Sequence, residues 1–159
     1  MFTKVDYVGP WTESPDWNKD RQDHSEVLMF HCAKLENILL AAGIEFPSHP
    51  HGNQIHPRVD QISGETYGGF RPQSCPIGAP LSSHKDAKAV DRYDPKEEID
   101  NWLLDNYNRN VEAGTPELCA LAVCGIYIEH PSTTPGWSHW AIKLQPDDAP
   151  RSGHYVFYP

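Results

Sequence analysis

Ser82-Ser83-His84-Lys85-Asp86-Ala87-Lys88-Ala89-Val90-Asp91 sets an imidazole and a carboxylate seven positions apart, with the small residues Ala87 and Ala89 between them. That spacing reads as half of a zinc site. A further ligand of matching chemistry is His139, in Thr134-Pro135-Gly136-Trp137-Ser138-His139-Trp140, whose aromatic neighbours suit a strand returning alongside the first pair. Two His and one Asp leave one tetrahedral position open. Catalytic zinc has that pattern, whereas structural zinc is closed by four protein ligands, mostly Cys. Taken alone, each residue also has an ordinary reading: His84 and Asp91 as a surface hydrogen-bonded pair, and His139 as a polar strand residue.

From Ser82 to Asp91 the chain reads Ser-x-His-x-x-Ala-x-Ala-x-Asp, with Gly69-Phe70-Arg71-Pro72 and Gly78-Ala79-Pro80-Leu81 before it. After it come Gly125-Ile126-Tyr127-Ile128-Glu129-His130-Pro131, the His139 segment and Arg151-Ser152-Gly153. In order and spacing these blocks resemble the zinc D-Ala-D-Ala carboxypeptidases and dipeptidases that cut peptidoglycan stem peptides, in particular their phage and prophage branch. The resemblance covers roughly residues 60–159. It implies the Hedgehog/DD-peptidase fold, with His84, Asp91 and His139 as Zn2+ ligands, and a peptidoglycan stem peptide as substrate. Many members carry a Glu three residues before the last His ligand as general base; this chain has Gly136 there. Ala87 stands where Gly is commoner, a departure that matters only if the backbone needs a positive φ.

Within that frame, zinc would lower the pKa of a water to about 7 and polarise a scissile carbonyl. Arg71 is the candidate second oxyanion donor, because a guanidinium keeps its charge and can aim two N–H groups at one oxygen. Its other reading is an ion pair with Asp60 or Glu65. Glu129 is the candidate replacement base, since a hairpin through Pro131–Pro135 brings it across from His139; otherwise it is a solvent-facing strand residue. His130 and Asp86 are lesser alternatives. Ser82 would orient a ligand or the substrate carboxylate, and Trp137 either packs or walls the pocket. His49, His51 and His56 form an ordinary histidine-rich loop.

Around these residues the pattern predicts an α+β domain spanning 1–159, with a small antiparallel sheet, flanking helices and long ordered loops. Residues 1–22, holding Trp11 and Trp17 without periodicity, are expected as an extended arm docked on the body. Val27, Leu28, Phe30, His31, Leu35, Ile38, Leu39 and Ala42 recur at helical steps before Gly43, which predicts a helix over Ser25–Ala42. Residues 44–81 read as loop, with Gln61-Ile62-Ser63 a short strand candidate. Asp94-Pro95-Lys96-Glu97 predicts a capped helix start, with Ile99, Trp102, Leu103 and Tyr107 as its buried stripe. Thr115-Pro116-Glu117 predicts a shorter helix ending before Gly125, and strands are expected over 126–129, 137–144 and 154–158.

The 159 residues carry 13 Lys+Arg against 22 Asp+Glu, a net charge of -9, which argues against binding a phosphate backbone. At 38% apolar content the chain can bury a core. Its N-terminus lacks a signal-peptide apolar stretch and no run approaches the ~20 residues that span a bilayer, so cytoplasmic synthesis is expected. Reaching a wall substrate then requires host lysis, a holin or delivery in a virion. Cys32, Cys75, Cys119 and Cys124 show no Cys-x-x-Cys spacing and are expected as free thiols.

Overall fold

Thr3 opens the first helix, α1 (Lys4–Val8), through a reciprocal capping box. Its hydroxyl accepts from the Asp6 N–H at 3.1 Å, and the Asp6 carboxylate accepts from the Thr3 N–H at 2.7 Å. A 3-10 turn follows at Gly9–Trp11, and Asn18 caps helix α2 (Lys19–Ala41) by accepting from the Arg21 N–H. Within the segment 1–22 expected as an extended arm, residues 4–11 and 19–22 are therefore helical and 12–18 are irregular. Five residues are too few to show a 3.6-residue period, so only the caps betray the helix. Its aromatics do pack on the body: the Trp17 ring centroid lies 6.4 Å from Tyr7 and 4.9 Å from Phe70.

The computed structural model describes residues 2–49, 55, 68–77, 81–143 and 155–158. Along α2 the buried stripe is Ser25, Leu28, Cys32, Leu35, Glu36 and Leu39, while Val27 and Phe30 face outward. Between α2 and the first strand, the described residues include an isolated bridge from Ile55 to Arg92 and the run 68–77. The Gln61–Ser63 strand candidate, His51, His56, Asp60, Glu65, Gly78–Pro80 and Arg151–Gly153 lie outside the described residues.

Strand β1 (Ala89–Tyr93) leads into helix α3 (Glu98–Glu112). The helix begins later than the Asp94–Pro95 pattern suggests, with Glu97 at its cap in a left-handed conformation (φ 58°). Asp94 still serves the helix start from farther back, its carboxylate accepting from the Asp100 N–H at 3.0 Å. Ile99 and Leu103 are buried, and Trp102 and Tyr107 pack beside them. The expected short helix divides into a 3-10 turn at Pro116–Leu118 and α4 (Ala120–Cys124), which ends on left-handed Gly125.

Strands β2 (Tyr127–Glu129), β3 (Trp137–Ala141) and β4 (Val156–Phe157) complete a four-stranded sheet in the order β1-β3-β2-β4. β3 is antiparallel to both β1 and β2, but β4 runs parallel to β2, so the sheet is mixed rather than wholly antiparallel. The reason is topological. β4 runs opposite to β3 as a returning strand must, yet it docks beyond β2, which already opposes β3.

Residues alternate between the two faces of a strand. Val90, Arg92, Ile128, Ser138 and Trp140 fall on one face, where the apolar members join Leu28, Leu35, Leu39, Ile99 and Leu103 in one core. Arg92 is fully buried there. Its guanidinium pairs with Glu36 at 2.5 Å and lies 4.8, 5.0 and 5.2 Å from the ring centroids of Phe2, Phe46 and Trp140. All four cysteines are buried thiols. Among the described residues no helix is long and apolar enough to cross a membrane.

Candidate metal centre

The opposite face of the sheet carries the chemistry. β1–β3 pairing sets Asp91 directly across from His139, and the β2–β3 register puts Glu129 next in the same row. His84 reaches this row from a 3-10 turn, Ser83–Asp86, which Ala87 closes at φ 56°. The positive φ that would favour Gly is thus present, and Ala87 adopts it.

His84 Nε2, Asp91 Oδ1 and His139 Nδ1 converge, with separations of 3.2, 3.3 and 2.7 Å. All three residues are buried. A tetrahedral ion with bonds of about 2.0–2.1 Å holds its ligand atoms about 3.3 Å apart, so two of the three edges already have the spacing of a coordination triangle. The donor set agrees. His84 Nδ1 donates to the Gly69 carbonyl at 2.8 Å, which leaves Nε2 as a bare lone pair facing the carboxylate oxygen and the second imidazole. Lone pairs gathered in this way, away from water, call for an electrophile between them. Among the described residues this is the group of His, Cys, Asp or Glu side chains able to hold a metal ion.

Protonation follows from the same contacts. Burial drives the His84 pKa down to about 4, against the pull of Asp91 and with help from Arg71. Burial works to raise Asp91, but His84 and His139 outweigh it and hold the carboxyl well below the usual range. A neutral imidazole beside an ionised carboxylate is the state a metal requires.

Each further residue singled out in the sequence has a definite place. Arg71 is buried and its Nη2 donates to Asp91 Oδ2 at 2.8 Å, so Asp91 presents a single oxygen to the ligand triangle. Its described ion-pair partner is a member of the site. Glu129 is partly open, with Oε1 3.9 Å from His139 Nε2, the ring nitrogen that faces away from the triangle. Trp137 shares the His139 face of β3 opposite Tyr93 and is half-buried. Ser82 starts the His84 turn, its carbonyl accepting from the Lys85 N–H at 2.9 Å. The structure brings Ser82 next to the site rather than into contact with a ligand atom.

His130 and Asp86 are engaged elsewhere, His130 stacked on Tyr158 at 4.6 Å and Asp86 paired with Arg21 at 3.0 Å. His49 packs its ring 4.8 Å from Tyr93. The feature the sequence reading missed is the Gly69 carbonyl that fixes the His84 tautomer. Its signal was the Gly68-Gly69 pair, since a Cβ at residue 69 would stand 2.0 Å from the Tyr7 carbonyl oxygen. Comparison with protein-family models, with curated proteins and with solved structures returned no match.

Proposed function

We propose that this protein is a zinc-dependent peptidase that hydrolyses a peptide bond in bacterial peptidoglycan stem peptides, as a D-Ala-D-Ala carboxypeptidase or endopeptidase on the Hedgehog/DD-peptidase fold. The observation that carries this reading is the buried triangle of His84 Nε2, Asp91 Oδ1 and His139 Nδ1, assembled from residues that resemble the family signature. Three protein ligands leave a tetrahedral position for solvent, and the chemistry zinc supplies in such a site is an acidified water and a polarised carbonyl. His and Asp together suit zinc better than magnesium or calcium, which prefer oxygen alone.

The chain's own groups take the remaining tasks. Arg71 fixes Asp91 in one-oxygen presentation, and its charge adds to the positive field that favours an oxyanion. Glu129, partly solvent-exposed in the same row with Oε1 3.9 Å from His139 Nε2, is the candidate base in this reading, accepting a proton through an intervening water and returning it to the leaving amine. Trp137 forms a wall of the site face, and Ser82 flanks it. An acidic chain of this kind acts on the wall after host lysis or virion delivery.

A second reading has one observation behind it. Gly136 adopts φ 87°, a conformation that strains any side chain, so this turn is not built for the Glu that relatives of the signature carry there. An inactive metal-binding or host-interaction module of a phage on the same fold would share every ligand and lack the base.

The two separate in one experiment. Purified protein is expected to bind about one zinc per chain and to release D-Ala from a stem pentapeptide, with loss on chelation and in His139→Ala. Glu129→Gln is expected to keep the zinc and lose at least about 100-fold in turnover, the usual scale of a general base. A zinc-loaded protein inert on every wall peptide sinks the peptidase and leaves the module.

A further inference from the structure

Residues ahead of the stretch that resembles the peptidase family form the backing of the site. Tyr7 holds two of its segments: its carbonyl accepts from the Phe70 N–H at 2.8 Å, and its hydroxyl donates to the carbonyl of Ala89, the first residue of β1, at 3.1 Å. Helix α2 reaches a third, the 3-10 turn Ser83–Asp86 that carries His84. Arg21 Nη2 donates to Asp86 Oδ1 at 3.0 Å, and His24 Nδ1 donates to the Asp86 carbonyl at 2.9 Å. Three positions apart on a helix, the two side chains share one face. A single residue of the turn is therefore gripped at both its carboxylate and its backbone.

The turn requires a grip. Ala87, which follows Asp86, stands at φ 56°, and a left-handed residue other than glycine persists only where its surroundings impose that conformation. The Ala87 N–H donates to the His84 carbonyl at 3.2 Å, and the Arg71 N–H donates to that same carbonyl at 3.2 Å. A turn that relaxed at Ala87 would pull on the His84 backbone and carry its ring out of the ligand triangle. The Asp86 side chain is 46% exposed, so its ion pair alone holds little; the bond from His24 to the backbone supplies the direction.

Resting on the metal centre of the peptidase reading, we infer that Arg21 and His24 are positioning residues, which hold Asp86 so that Ala87 stays left-handed and His84 Nε2 stays in register with Asp91 and His139. Neither is a ligand; both act through the turn.

The test titrates the full chain, stripped of metal, with zinc against a chelating competitor, and with cobalt, whose visible absorption reports ligand geometry. Arg21→Gln/His24→Ala is expected to lose about 10- to 100-fold in zinc affinity, the scale on which supporting contacts to a ligand act, and to change the cobalt spectrum. Adding Ala87→Gly should restore both, because glycine adopts the left-handed conformation unaided. A general loss of stability is not mended in that way. Arg21→Gln alone removes a partly exposed ion pair and leaves the helix intact, so it carries the test if the double variant does not fold, with a fall of about threefold. Equal affinity and an unchanged spectrum in the folded variants, or a loss that Ala87→Gly does not reverse, overturns the assignment. A parent chain that binds zinc yet cuts no wall peptide fails the peptidase alone; one that binds no zinc fails the metal centre and this inference together.

Discussion

Gly69 lies where three demands meet. Its carbonyl accepts from His84 Nδ1, its Cα packs under the Tyr7 carbonyl, and the next residue's N–H donates to that same Tyr7 carbonyl at 2.8 Å. A methyl at residue 69 would sit 2.0 Å from a backbone oxygen, which no side-chain rotation relieves. Gly69→Ala is therefore expected to lose about 2–3 kcal/mol in urea unfolding, the upper range for overpacking. Moving the carbonyl also releases the His84 ring, so zinc affinity should fall about 10- to 100-fold, as when other supporting hydrogen bonds to a ligand are lost. Unchanged affinity in a folded Gly69→Ala protein would show that the carbonyl does not orient the ligand. His84 and Asp91 were legible as a pair because they are local in sequence. The glycine behind them was not, because its demand comes from a helix more than 60 residues earlier.

At the scale of elements, α3 and β3 meet through a buried acid. Asp100 is inside the protein, accepts from the Thr134 hydroxyl at 3.2 Å, and has one carboxylate oxygen without a partner. Burial lifts its pKa to about 7, with Asp94 and Glu97 adding to the rise and Ser138 and Thr134 opposing it. An unfolded Asp titrates near 3.9, so between about pH 4 and pH 7 the folded chain holds a proton that the unfolded chain has lost. This contribution is complete below about pH 4 and disappears as pH rises through 7. Asp100→Asn, which cannot charge, is expected to gain about 2–3 kcal/mol more over the parent at pH 8 than at pH 5, where only the first part of the contribution has been lost, compared by denaturant titration at both. A gain of equal size at both pH values would place the effect in packing. Elements of ten or more residues were readable from their period, as in α2 and α3. Five-residue α1 was not; β4 falls within the strand expected over 154–158, but its parallel pairing with β2, which turns the expected antiparallel sheet into a mixed one, has no signal in its two residues.

Across the whole molecule, the site joins parts of the chain that share no local pattern: the 68–71 run, the His84 turn, β1, and β3 some 48 residues beyond Asp91. Sequence showed which residue types were available; the β1–β3 register, which no spacing encodes, decides that Asp91 and His139 face each other. An ion gripped by such distant segments ties them together only in the folded state, so its binding free energy adds to folding. At free zinc about 1,000-fold above Kd the gain is about 4 kcal/mol. For a chain of this length that corresponds to a rise in Tm of roughly 8–16 °C. The rise should vanish in His139→Ala and survive Glu129→Gln, because Glu129 stands at the ring nitrogen pointing away from the triangle. Magnesium, a poor match for imidazole, should give none. Thermal scans of metal-free protein with and without zinc check all three; a zinc shift retained in His139→Ala would mean that the ion binds elsewhere and that β3 does not belong to the site.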